Sequence, residues 1–262
     1  MIDFRMAKKY LAFISGATPI GSVHSPFAYE FYAHVLKDKR GYYSFRPIEK
    51  LRTDLLKNNT RIKVTELGAG SRVDGNVERR IGDIARHAAK KPKYGQLLYR
   101  MVNYFNPKNI LELGTSLGLS TAYLASARSH SQVTTLEGWP EVLEIAKETF
   151  KVLQLKNVTP VAGNFDDTLP EVLSRLPALD FAFIDGNHRE EPTIRYFEQC
   201  ITKVHNNSIL IFDDIYWTPE MERAWEAIKS HPSITLTIDI FSLGFVFFRK
   251  EIKEKQHFKF RY

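Results

Sequence analysis

The sequence predicts an α/β protein with a doubly wound, seven-stranded sheet, mostly parallel with an antiparallel last strand, and an N-terminal helical extension. Three observations carry this. After residue 105 short β-branched or apolar runs alternate with helix-like segments, the pattern of a parallel sheet covered on both faces. The last two apolar runs, "ITLTIDI" and "GFVFFRK", lie too close together for a helical crossover, so they turn back as an antiparallel hairpin. Before residue 105 the apolar spacing is helical instead.

The elements follow in order. "MIDFRMAKKYLAFISGA" has too short an apolar piece, Tyr10 to Ile14, for a secretory leader and reads as a helix or extension. "SPFAYEFYAHVLKD" and "RPIEKLRTDLLKNN" are helix-like, and a third helical stretch runs from about Val77 to Tyr104, interrupted at Pro92. These form an extension over residues 1–104, ahead of a domain over 105–262. In that domain the strands are "NILELG", "QVTTLEG", "VTPVAG", "LDFAFIDG" and "SILIFDD", followed by the terminal hairpin. Between them lie the helices "LSTAYLASAR", "PEVLEIAKETFKVLQ", "LPEVLSRL" and "REEPTIRYFEQCITKV".

Composition narrows the classes. The 262 residues are 44% hydrophobic and 13% aromatic, enough for a substantial core, and no apolar run is long enough to span a bilayer. A single cysteine, Cys200, excludes an internal disulfide and a cysteine-based zinc site, and a cytoplasmic location is expected. The net charge of +7 is spread along the chain without an arginine-rich tract, which reads as a solvated surface rather than a nucleic-acid footprint.

Two loops compete for a cofactor. "TELGAGSRVDG" and "LELGTSLGLST" each follow an apolar stretch with a carboxylate, Leu-Gly and small residues. In the second, Gly114 and Gly118 lead into a helix near Leu119, whose N-terminus offers amides and positive potential, with Ser120 or Thr121 placed to satisfy first-turn amides. The next strand then ends in Glu137, positioned to accept the ribose hydroxyls of a nucleoside cofactor. The first loop has no such partner; its Gly68 and Gly70 read as a tight turn between two helices of the extension, with a substrate-facing lid as the alternative. The spacing Gly114-x-x-x-Gly118 lacks the third glycine of a dinucleotide loop. Glu112 would repel a pyrophosphate but attract the ammonium group of a methionine.

"ELGTSLGLST" therefore resembles motif I of the class I S-adenosylmethionine-dependent methyltransferases, which have a Rossmann-like sheet. That resemblance covers roughly residues 105 to 250 and implies S-adenosyl-L-methionine as cofactor. Its expected contacts are Glu112, Gly114, Thr115, Ser116, Gly118, Ser120, Glu137 and Gly138, with Asn164, Phe165 and Asp166 about the adenine and Asp185 nearby. Asp185 ends the fourth strand, and Asp213 and Asp214 end the fifth. Carboxylates gathered at strand ends repel one another unless a cation intervenes, and oxygen ligands suit Mg²⁺ or another divalent ion of similar hardness. The arrangement is similar to the metal-dependent O-methyltransferases of the catechol O-methyltransferase type, and to bacterial members with an N-terminal helical extension. It implies metal ligands at Asp185, Asp213 and Asp214, and a base three residues after Asp185. Where the catechol enzymes have lysine this chain has His188, in a "DGNH" sequence similar to that of metal-dependent sugar methyltransferases.

The expected activity is methylation of a small-molecule hydroxyl, with His188 and Asp185 as the catalytic residues. Tyr216, Trp217 and Trp225 lie close by in sequence as candidate walls for the acceptor. A metal-independent methyltransferase acting on RNA or protein, and a non-catalytic binding protein on the same fold, are the alternatives. The expected partner is a small-molecule acceptor; a homodimer stays open, nucleic acid is less favoured, and no membrane partner is expected.

Overall fold

The computed structural model describes residues 4–64 and 77–262. The first glycine loop, with Glu66, Gly68 and Gly70, lies outside the described residues. The architecture is mixed α/β with a mostly parallel central sheet, and the chain divides into two compact units. One is contiguous, Asp38–Arg175; the other joins Met1–Lys37 to Leu176–Tyr262.

The contiguous unit begins with α3 (Phe45–Lys57), preceded in the chain by α1 (Phe4–Ser15) and α2 (Pro26–Phe31) of the other unit. An antiparallel pair follows, β1 (Arg61–Val64) and β2 (Val77–Arg80), in register from Arg61↔Arg80 to Val64↔Val77. This corrects the expected helix from Val77: "VERR" has no apolar spacing of its own, and its backbone is claimed by β1. The helical stretch is α4 (Ile81–His87) and α5 (Pro92–Phe105), with Pro92 at the start of α5, where a missing N–H costs nothing. Three parallel strands come next, β3 (Asn109–Leu113), β4 (Gln132–Glu137) and β5 (Val158–Ala162), with α6 (Leu119–Ala127), α7 (Pro140–Val152) and α8 (Phe165–Arg175). The register sets Glu112 opposite Thr135, and Glu137 opposite Ala162. Phe45, Ile48, Tyr99, Ala122 and Tyr123 belong to one buried cluster joining α3, α5 and α6.

The other unit holds β6 (Leu179–Ile184), α9 (Glu190–Ile201), β7 (Val204–Asp213), α10 (Pro219–Ser230), β8 (Leu236–Asp239), β9 (Leu243–Phe247) and β10 (Gln256–Lys259). β6 and β7 are parallel, and their buried ends, "FAFI" and "SILIFD", are apolar almost throughout, as befits strands covered on both faces. β9 lies between β7 and β8, antiparallel to both, so the terminal hairpin is present. Among the described residues the basic tail adds a further strand, β10, parallel to β8. Its segment "QHFK" is too short and too charged to stand out as a strand. Thr18 and Lys259 exchange backbone and side-chain bonds, Thr18 N to Lys259 O at 2.7 Å and Lys259 N to Thr18 Oγ1 at 3.1 Å, which covers the edge that β10 would otherwise expose. Phe31 on α2 is fully buried edge-on against Phe245 and Phe247.

Gly244 on β9 faces the buried indole of Trp225, which settles that tryptophan as core. A Cβ there would sit 2.6 Å from Trp225 Cη2. Gly244→Ala is therefore expected to destabilise by about 1–3 kcal/mol through overpacking, read as a lower denaturation midpoint in urea; an unchanged midpoint would mean that the ring can move aside.

Candidate active site

The contiguous unit builds a loop and carboxylate site at the C-terminal ends of β3 and β4. After Leu113 the backbone turns through left-handed conformations at Gly114 (φ 100°), Ser116 (φ 48°) and Gly118 (φ 79°). At Gly118 no side chain fits, because a Cβ would lie 2.6 Å from Phe150 Cε1. Glu137 organises this loop: its carboxylate accepts from Ser116 N at 2.6 Å and from Trp139 N at 3.0 Å. The acidic residue at the end of the second strand thus faces the glycine loop. Ser116 Oγ is buried and has no hydrogen-bond partner among the described residues.

Glu112 is fully buried. Its Oε2 accepts from Thr135 Oγ1 at 2.7 Å and from Thr121 Oγ1. Thr115, also buried, shares a 2.6 Å hydroxyl contact with Thr135. Thr121 is therefore not a cap for α6: the helix begins at Gly118 without a side-chain cap, and the carboxylate below has taken the hydroxyl. Ser120 is buried in the first turn, and Gly138 follows Glu137 with open space about its Cα. The sequence reading missed Thr135, whose only signal is its register opposite Glu112. It also missed Gly163 (φ 139°), whose amide donates to Glu137 O at 2.9 Å. Asn164 caps α8, accepting Asp166 N on Oδ1 at 3.1 Å, and leaves Phe165 and Asp166 half-buried in the first turn.

The other unit builds a second group at the ends of β6 and β7. Asp185 follows β6 directly, and Asn187 takes a left-handed conformation (φ 60°) that turns the chain back toward it. His188 Nε2 then lies 3.5 Å from Asp185 Oδ1. Asp213, the last residue of β7, is buried, and one ligand atom each from Asp185, His188 and Asp213 fall within 4.8 Å of one another. Two carboxylate oxygens and an imidazole nitrogen at that separation form a donor set suited to a divalent cation. Asp214 is not part of this group: it is left-handed (φ 53°), and its amide donates to Ser242 O at 2.8 Å.

Trp217, half exposed, meets the His188 ring edge-on with centroids 5.3 Å apart. Tyr216 points elsewhere, its hydroxyl donating to Asp239 Oδ2 at 2.6 Å; burial pushes both the phenol and the carboxyl upward, which keeps the phenol protonated. The thiol of Cys200 is wholly buried in α9, and burial pushes it up to about 12, so it supplies no nucleophile. Among the described residues no helix is long and apolar enough to cross a membrane.

Known proteins extend this picture. A family described as a methyltransferase domain matches residues 111–215. Over 127 residues the chain is 27% identical to a catechol O-methyltransferase of Niastella koreensis, covering 47% of this chain and 57% of that protein. The catechol O-methyltransferase of Mycobacterium tuberculosis gives 27% over 129 residues, covering 48% and 57%. The chain thus spans little more than half the length of the curated relatives it matches. Among solved structures, the O-methyltransferase from Bacillus cereus in complex with S-adenosylhomocysteine superposes with a TM-score of 0.55 at 20% identity, covering 83% of this chain and 96% of that one, a likeness of fold. The glycine loop, Glu137 and the strand-end aspartates all fall in or beside residues 111–215, the segment that the methyltransferase-domain family matches.

Proposed function

We propose that the protein transfers the methyl group of S-adenosylmethionine to a hydroxyl oxygen of a small molecule, with a divalent cation at Asp185 and Asp213 and His188 as general base. The observation that carries the metal-assisted reading is the approach of Asp185, His188 and Asp213 to within 4.8 Å. A buried aspartate beside a second carboxylate is an arrangement that a cation relieves. The cofactor assignment is supported by the loop, where Ser116 Oγ is a buried hydroxyl awaiting a partner and Gly118 has no room for a side chain.

When bound, S-adenosylmethionine supplies an electrophilic methyl on a sulfonium. A divalent cation would supply positive charge that makes the acceptor hydroxyl more acidic. The chain's own contribution is alignment and proton removal. Glu137 accepts the ribose hydroxyls while the loop amides fix its orientation. Asp185 and Asp213 hold the cation, Asp185 also faces the His188 ring, and Nε2 of His188 takes the proton of the acceptor hydroxyl. Trp217, half exposed beside His188, forms a wall for an acceptor with a flat or apolar body.

Titration calorimetry with Mg²⁺ or Mn²⁺ tests the cation. The expected result is binding that Asp213→Asn or Asp185→Asn abolishes, with methyl transfer suppressed by chelator. Full activity in excess chelator would remove the cation from the reading and leave the methyltransferase assignment standing. The same cluster favours a second reading, in which His188 is a third ligand rather than the base. Metal affinity separates them: His188→Ala leaves it nearly unchanged if the imidazole is the base and lowers it sharply if it is a ligand.

A further inference from the structure

A cleft of about 700 Å³ lies in the contiguous unit, at the opposite ends of its strands from the glycine loop. It is framed by the start of α3, the turn from α6 to β4 and the turn from α7 to β5. Gln132, the first residue of β4, lines it, whereas Glu137, the last, faces the glycine loop. Six strand residues separate the two sites by roughly 17–20 Å. Its size is within the ordinary range for small-molecule sites.

The lining is electrically one-sided. Arg128, His130 and Lys156 contribute to it, and no Asp or Glu does. Among the described residues none of the three has a carboxylate partner. Arg128 Nη2 donates to the neutral Asn103 O at 2.8 Å, and His130 Nε2 meets Asn106 Oδ1 at 2.9 Å. Arg128 Nε is buried with no hydrogen-bond partner. Cations at such a place could simply complement helix ends, but the charges do not cancel. The C-termini of α6 and α7 and the N-terminus of α3 meet the cleft, and each end carries about half a charge. Together they amount to about half a negative charge, which Arg128 and Lys156 outweigh several-fold. The rest of the lining is not what a purely ionic site needs. Tyr43 is 87% exposed and Val152 63% exposed, and Ser126 and Ser129 also line the cleft.

We propose that this cleft is a second ligand site, separate from the methyl-transfer chemistry, which takes a nucleotide: phosphate on Arg128 and Lys156, base stacked on Tyr43. A planar guanidinium held in place by a backbone carbonyl suits a phosphate's oxygens, and an exposed phenol ring suits a heterocycle. The ligand class is set by that pairing of cations without carboxylate partners and an exposed aromatic ring. A carboxylate metabolite would leave the ring unused, and an apolar one would leave the cations unused.

The test is calorimetric titration of the full chain in metal-free buffer, saturated with S-adenosylhomocysteine so that the cofactor site is closed to adenine. ADP, adenosine and inorganic pyrophosphate are the probes. ADP is expected to bind one per chain and most tightly, pyrophosphate more weakly and adenosine weakest. Lys156→Glu should lower affinity for ADP and pyrophosphate about tenfold or more. Tyr43→Ala should weaken ADP and leave pyrophosphate unchanged. Both side chains are exposed, so both variants are expected to keep the parent's thermal midpoint. The proposal is overturned by absence of binding at millimolar ADP, by an ADP affinity indifferent to Lys156→Glu, or by ADP binding that Glu137→Ala abolishes. Binding of a single-stranded oligonucleotide that tightens with length and exceeds ADP would replace the nucleotide with a nucleic-acid partner.

Discussion

His188→Ala is expected to slow methyl transfer by about 10²–10⁴-fold, the usual contribution of a positioned general base, while sparing cofactor affinity. A hydroxyl is a poor nucleophile until its proton has somewhere to go, and the imidazole beside Asp185 is the acceptor of that proton in the proposed reaction. The sign of the pH effect follows from the role. A base works only when deprotonated, so the parent rate should climb with rising pH, and the variant should lose that climb. Single-turnover rates across pH, with S-adenosylhomocysteine affinity measured in parallel, make the check. Near-normal turnover with an unchanged profile would reduce His188 to a bystander. An unchanged profile with lost metal affinity would instead make it a ligand.

The second large effect is expected at Glu137. Its carboxylate is proposed to accept two charge-assisted hydrogen bonds from the ribose, each worth about 1.5–3 kcal/mol. It also fixes the Ser116 and Trp139 amides. Glu137→Ala should therefore weaken S-adenosylhomocysteine binding by about 10²–10⁴-fold, taking 1.4 kcal/mol per factor of ten. Glu137→Gln should lose less, because the amide oxygen can still accept one amide or one hydroxyl. Glu66→Ala, in the first glycine loop, should leave affinity alone. Equal losses from Glu66→Ala and Glu137→Ala would mean that the cofactor assignment rests on the wrong loop.

How far these sites could be read from sequence depends on whether their residues are tied by chain proximity or by register. Gly114, Gly118 and the carboxylates at the ends of β4, β6 and β7 were legible because a strand followed by glycine, or by an acid, announces the edge of a parallel sheet. The group at Asp185 and His188 was legible because a single left-handed turn at Asn187 brings the two together. The grip on Glu112 was not. Thr135 reaches it only because β3 and β4 pair with those two residues abreast, and no spacing rule names that partner. The exclusion of Asp214 was hidden for a related reason, since its backbone leaves the strand direction at the residue after Asp213. The strand at Val77–Arg80 and β10 were lost to charge: "VERR" and "QHFK" are edge segments without an apolar face, and edges are where polar residues belong.

The bond between Thr18 and Lys259 has a consequence for the order in which the molecule can assemble on a ribosome. The unit bearing Glu137 is complete once Arg175 has emerged, because it is a single run of chain. The unit bearing Asp213 is not, since its first helices must wait for partners more than two hundred residues downstream. Phe31 has no β9 to bury against until Phe247 has been made. During synthesis α1 and α2 are therefore the segments with exposed apolar surface and the longest delay, and contacts so distant in sequence close slowly. A pulse of protease on stalled nascent chains should find residues 77–175 protected early and residues 4–37 cleavable until the end, so the half of the protein proposed to hold the cofactor would acquire its shape before the half proposed to hold the metal.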